Sequence, residues 1–224
     1  MIPLAMSSFH PYLRFYWQTL FMTHAEFTRR LEFGKEELLA YANGTLLNDG
    51  PSDMGRLPSP PLLMFDRIVD VRHEGSRGLI VAEQDIALDA WYFWCHFRND
   101  PVQPGCLAVD AVWQLIGFYL MLRGVQGCGR ALGCGAVDFA GQIRPHNRVV
   151  RYEVTIKRVS EFRETDSAVA IGDANILVDG EAIYSMRDAR VGAFRGIRYD
   201  DYPKLSRNAR GGLPKEVSND AGSV

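Results

Sequence analysis

Cysteine is scarce in this chain, and neither sign of charge prevails. The four cysteines among 224 residues are Cys95, Cys106, Cys128 and Cys134. No two of them form a C-x-x-C pair, so the spacing argues against a zinc site. A chain of this length has no need of disulfides, and a reducing cytoplasm is the expected compartment. Lysine and arginine number 25 against 27 acidic residues, a formal net charge of −2 with no basic run. That balance excludes a general nucleic-acid binder. A charge-free run of membrane length is also missing, since the longest apolar stretch, Cys106 to Leu122, is short and carries Asp110. Met1 to Phe21 is fairly apolar, but Ser7, His10, Pro11 and Arg14 interrupt it, and no charged leader or small-residue cleavage site stands out. It is predicted to be neither signal peptide nor membrane span, with Met22 a candidate start.

What is present fits one ordinary globule, with 47% hydrophobic and 23% charged residues. Residues 1–32 are expected to be an N-terminal extension, 33–195 a single domain, and 196–224 a polar tail. Lys35 to Ala42 reads as a short amphipathic helix stopped by Asn43-Gly44. Asn48 to Pro61 reads as a loop, then Met64 to Val71 and Gly78 to Ile86 as strands. A helix that is apolar nearly all round follows Pro104-Gly105 and ends near Gly124. Beyond it the period changes from 3.6 to 2. Val150, Tyr152, Val154 and Ile156 alternate with Arg151, Glu153, Thr155 and Lys157, the pattern of a half-buried strand. Ala131 to Ile143 reads as one more strand. Ser167 to Val178, Asp179-Gly180 and Glu181 to Phe194 read as a hairpin. The glycines from Gly124 to Gly135 follow a helix and precede a strand, the reverse of a dinucleotide loop, and read as a turn. One greasy helix and several one-faced antiparallel strands predict an α+β fold in which the sheet wraps the helix.

Chemistry concentrates at His96 and just after it. His96 follows the aromatic cluster Trp91-Tyr92-Phe93-Trp94 and precedes a turn stiffened by Pro101, Pro104 and Gly105. A neutral imidazole with one nitrogen tied to a carbonyl is a good base near neutral pH. His10, His24, His73 and His146 lack such a setting and read as surface. Asp110 and Gln114 break the apolar helix four residues apart, hence on one face. A helix N-terminus favours a carboxylate by about 0.3–1 kcal/mol. Full desolvation raises a carboxyl pKa by about 3–5, or roughly 4–7 kcal/mol. If Asp110 is buried, it therefore keeps its proton near neutrality and serves as a general acid. The N–H groups of Gly105 and Cys106 open the helix without intrahelical partners, an oxyanion site for an enolate-like transition state. Base, acid and donors together suit removal of water β to a thioester carbonyl. Cys106 admits a rival reading, a Cys–His nucleophile for acyl transfer or a thioesterase, against the plain one of a small helix residue.

The run Cys95-His96-Phe97, Pro101-Val102, Pro104-Gly105-Cys106-Leu107, Asp110, Trp113-Gln114-Leu115 and Gly117-Phe118-Tyr119-Leu120 resembles the bacterial 3-hydroxydecanoyl-acyl carrier protein dehydratase/isomerase family, which has a hot-dog fold. Leu62 to Arg67, Gly129 to Gly133 and Leu177 to Gly180 extend the likeness, which runs from about Phe33 to Phe194. The resemblance implies that His96 and Asp110 are catalytic and that the Gly105 N–H binds the thioester carbonyl. It further implies that Gln114 supports Asp110 and that the Val102 carbonyl orients His96. It implies a homodimer with active sites shared between subunits, no metal and no dissociable cofactor, the acyl chain arriving on the phosphopantetheine of acyl carrier protein. Aspartate rather than glutamate at 110 is similar to the bifunctional branch that also isomerises trans-2 to cis-3 enoyl chains. Arg98, Asn99, Gln103, Ala136 and Asp138 depart from the family's usual residues. Arg130, Lys157, Arg158 and Arg163 form a candidate docking patch for the acidic carrier protein.

Overall fold

A computed structural model describes residues 21–196. In chain order its elements are α1 (His24–Phe27), α2 (Lys35–Asn43), β1 (Arg67–Glu74), β2 (Arg77–Asp85), a 3-10 turn (Trp91–Trp94), α3 (Gly105–Leu122), β3 (Cys128–Gly133), β4 (Ala136–Phe139), β5 (Val149–Phe162), β6 (Ser167–Val178) and β7 (Glu181–Phe194). One antiparallel seven-stranded sheet runs β1-β2-β5-β6-β7-β3, with β4 also paired to β7. This is the sheet-around-helix arrangement expected from the pattern, and the hot-dog fold that the resemblance implies: α3 packs against β2, β5, β6, β7 and β3.

The sheet curves because bulges line up across it. Lys157 is an extra residue in β5 against β6, and Arg187 and Asp188 of β7 together oppose Asp173 of β6; such neighbouring bulges bend a sheet locally. Lys157 closes the seam with ion pairs to Asp188 at 2.7 Å and Asp173 at 3.3 Å. The β6–β7 turn uses Asp179 (φ 51°) and Gly180 (φ 89°), as a two-residue turn with two left-handed residues demands. The Asp179 carboxylate accepts from the N–H groups of Arg148 and Val149 at 3.0 Å each. Those bonds, with one from Asn147, lower its pKa.

Wrapped in the sheet, α3 hides its apolar residues on all sides. Although it is long and apolar enough to cross a membrane, 67% of it is buried within the protein. Leu115, Ile116, Tyr119 and Leu120 are all fully buried.

Three expectations shift. Met64 to Asp66 lie before β1 rather than in it. The strand expected over Ala131 to Ile143 is two short ones, β3 and β4, parted by a break after Gly133, whose φ of 115° leaves the strand region. The domain also starts before residue 33. Thr23 and Glu26 form a capping box that sets α1. Phe27, fully buried, stacks on Tyr41 at 5.2 Å and meets Phe118 edge-on at 5.5 Å. Residues 1–20 and the tail after 196, including His10, lie outside the described residues.

Candidate active site

Asp110 stands in the second turn of α3, half-buried, on the wall of a cleft of about 250 Å³. Trp113, Gln114, Gly117 and Met121 continue that wall at helical spacing, with Leu57 and Leu62 from the preceding loop and Ala131 from β3 opposite. Two arginines, Arg56 and Arg130, also line it. Most of this lining is apolar, so a hydrocarbon chain suits the cleft better than a polar one. Trp113 and Gly117 had a signal in the sequence, since they share Asp110's face at i+3 and i+7.

Gln114 is fixed in one orientation. The Met64 N–H donates to its Oε1 at 3.2 Å, which forces Nε2 to the other side. Nε2 then donates to the Leu62 carbonyl at 2.8 Å and to Asp110 Oδ2 at 2.6 Å. With Oδ2 occupied as an acceptor, Oδ1 is the oxygen left to hold or release a proton. The Leu62 and Met64 backbone thus belongs to the site, a contribution that no motif announced. The full burial on which a protonated Asp110 was expected is not reached within one chain.

His96 is held on both sides by backbone. Its N–H donates to the Tyr92 carbonyl at 2.9 Å, and its carbonyl accepts from the Val102 N–H at 2.8 Å. Nδ1 lies 3.0 Å from the Val102 carbonyl oxygen. A carbonyl only accepts, so Nδ1 carries the proton and Nε2 presents a lone pair. The imidazole packs on Phe97 with centroids 3.7 Å apart. His96 does not line the Asp110 cleft of its own chain.

Pro104 caps α3, and Gly105 and Cys106 begin it. Their N–H groups find no acceptor among the described residues, as the first N–H groups of a helix do not. Gly105 has a reason to be glycine: a Cβ there would come within 2.6 Å of the Phe139 ring on β4. Cys106 is exposed. Of the histidines read as surface, His24 and His146 are plain surface or half-exposed residues. His73 is exposed too, yet its Nδ1 sits 3.0 Å from the Tyr119 hydroxyl.

A family description of the FabA-like domain matches residues 57–187, more than half of the chain. The chain belongs to the FabA-like domain family. That membership agrees with the hot-dog fold described above. Several solved structures show a likeness at low identity. The dehydratase heterocomplex ApeI:P from Xenorhabdus doucetiae is 12% identical over 67% of this chain and 88% of its own, with a TM-score of 0.43. The MaoC-like dehydratase from Rhodospirillum rubrum is 14% identical over 55% and 93%, with a TM-score of 0.37. The E. coli PaaI protein of the phenylacetic acid degradation operon is 12% identical over 58% and 78%, with a TM-score of 0.39.

Proposed function

We propose that this protein dehydrates (3R)-3-hydroxyacyl chains of about ten carbons, carried on acyl carrier protein, to trans-2-enoyl chains, and isomerises trans-2- to cis-3-decenoyl chains. The observation that carries the reading is Asp110, oriented by Gln114 at 2.6 Å and opening on a mostly apolar cleft. His96 Nε2 takes the α-proton of the thioester. The N–H groups at the start of α3 hold the charge that develops on the thioester oxygen. Asp110 Oδ1 protonates the departing hydroxyl, which leaves as water. In isomerisation the same pair moves a proton from C4 to C2 and the double bond from C2 to C3.

Within one chain His96 stands apart from the Asp110 cleft, so the reading requires a homodimer in which each site takes His96 from one protomer and Asp110 from the other. The phosphopantetheine of the carrier delivers the chain, and no metal or dissociable cofactor takes part. Carrier docking falls to Arg130, Arg158 and Arg163, with Lys157 contributing only if it loosens its pairs to Asp173 and Asp188. Arg130 has the best position, because it also lines the cleft. The cytoplasm, where acyl carrier protein works, is the matching compartment.

Incubation with a 3-hydroxydecanoyl thioester and identification of the products tests all of this. Trans-2- and cis-3-decenoyl thioesters are expected. Trans-2 alone removes the isomerase, and free acid replaces the reading by a thioesterase.

A further inference from the structure

From Leu107 to Leu122 every residue of α3 is buried except Asp110, Trp113, Gln114 and Gly117. At i, i+3, i+4 and i+7 they make one stripe, and all four line the cleft. Asp110 and Gln114 have their parts in the mechanism above. Gly117 has none.

Its being glycine also lacks a reason in the packing. Inside the 18-residue α3, glycine is less favourable than alanine because its backbone has more freedom to lose. Gly105 and Gly78 are forced, since a Cβ on either would run into Phe139 or the Tyr119 hydroxyl. Beyond its own helix turn, a Cβ on Gly117 would touch only Val191 Cγ1 among the described residues, at 3.7 Å, an ordinary van der Waals contact. Val191 lines the same cleft. The fold therefore permits alanine at 117, and the missing methyl leaves volume in the cleft instead.

The place suits the end of an alkyl chain. In the proposed reaction the hydroxyl on C3 departs beside Asp110, so C4 and onward run from that carboxyl along the cleft. Gly117 follows seven residues later, about 10 Å along the helix axis. From C3 to C10 an extended acyl chain spans about 9 Å, with single bonds of about 1.5 Å. Met121, one turn further along the wall, is itself buried.

We propose that Gly117 sets the acyl chain length that the cleft accepts, the space left by its missing side chain taking the end of a ten-carbon chain. The position of C3 rests on the dehydratase reading; the filling of that space by an alkyl chain does not depend on turnover.

Gly117→Leu and Gly117→Ala in the full chain test the idea. A helical side chain leans over the preceding turn, so leucine there covers the cleft back toward Gln114. Calorimetry with decanoyl- and hexanoyl-N-acetylcysteamine reads binding, and the matching 3-hydroxyacyl thioesters read turnover. G117L should bind the decanoyl thioester at least about 10-fold more weakly than wild type does, and the hexanoyl one within about twofold. The ratio of kcat/KM values should move in the same direction. G117A should melt up to about 4 °C above wild type and shift the decanoyl-to-hexanoyl ratio the same way, by about threefold. An unchanged ratio in G117L overturns the proposal. So does a G117A protein that melts below wild type, or an altered oligomeric state of G117L on a sizing column, since the glycine would then serve packing. If G117L does not fold, the ratio in G117A decides. A wild type that turns over no hydroxyacyl thioester, with decanoyl binding lost in G117L, ends the dehydratase reading and leaves the role of Gly117 standing. A wild type that binds neither thioester overturns both.

Discussion

The two ends of α3 are built from the same parts and left in different states. Toward its C-terminus Tyr119 donates to the Arg77 carbonyl at 3.0 Å, and Arg123 reaches the Gly75 carbonyl at 2.6 Å. These bonds bolt the helix to the β1–β2 hairpin. A Cβ on Gly78 would collide with the Tyr119 hydroxyl, so the strand leaves room for it. Toward its N-terminus Gln114 ties the helix to Leu62 and Met64 in the same manner. There, however, the chain of bonds continues to Asp110 and stops at a carboxyl oxygen facing a cleft. Polar groups at the far end are consumed in holding the fold. At the near end one valence is left over, and a leftover valence in a mostly apolar cleft is what chemistry needs.

The sharpest way to break this contrast is Asp110→Asn, which keeps the size and the bond to Gln114 but has no proton to give. We expect turnover of a 3-hydroxydecanoyl thioester to fall by about 10²-fold or more, as for loss of a general acid, with Tm unchanged. Equal rates for variant and wild type would end the role assigned to Asp110. Gln114→Leu sits between the two kinds of residue and should show both effects. It strands the Met64 N–H and the Leu62 carbonyl, costing about 1–3 kcal/mol in a denaturant titration. It also frees the Asp110 side chain, and kcat should drop by about 10-fold. Stability loss with full activity would make Gln114 a member of the structural end alone.

The ends also differ in how far the sequence discloses them. Asp110 and Gln114 are conspicuous because they interrupt an apolar run at i and i+4, and the β6–β7 hairpin is set by Asp179-Gly180 between two alternating runs. Local pattern reaches this far. Phe27 hides in a four-residue helix, where one buried aromatic makes no period. The break between β3 and β4 follows from the left-handed backbone of Gly133, and a glycine there reads equally well as strand. The bonds from Gln84 Nε2 to the Tyr92 hydroxyl and from the Tyr152 hydroxyl to Gln84 Oε1 join three positions with no common spacing, and only the pairing of β2 with β5 brings the two strands together. Likewise nothing near Tyr119 in sequence points to His73 or Arg77, which come from a hairpin more than forty positions away.

Tyr119→Phe probes the far end. Its loss removes the hydroxyl's bond to the Arg77 carbonyl and its contact with His73 Nδ1 and should cost about 1 kcal/mol, or about 2–4 °C in Tm. Activity should hold within about twofold. A catalytic defect as large as that of Q114L, at equal stability loss, would erase the distinction between the ends.

The smallest effect expected is a pH dependence at the same place. The His73 pKa lies below its ordinary value of 6.5, first because burial disfavours the charged ring and then because Arg123 is nearby. A histidine with a depressed pKa in the folded chain takes up its proton later than it does when unfolded. As pH falls through 6.5 the unfolded state binds more protons, and the balance moves toward it until the folded ring also protonates. Stability should therefore decline on the acid side of 6.5 and not above it. His73→Gln cannot titrate, so the difference between its Tm curve and that of the wild type isolates this one group from the carboxylates that titrate lower. The two curves should run parallel at pH values above 7 and diverge below 6.5, the wild type falling faster. Curves that stay parallel through that range would mean that the contact with Tyr119 tolerates a charged ring, and that the far end is held by Tyr119 and Arg123 without help from His73.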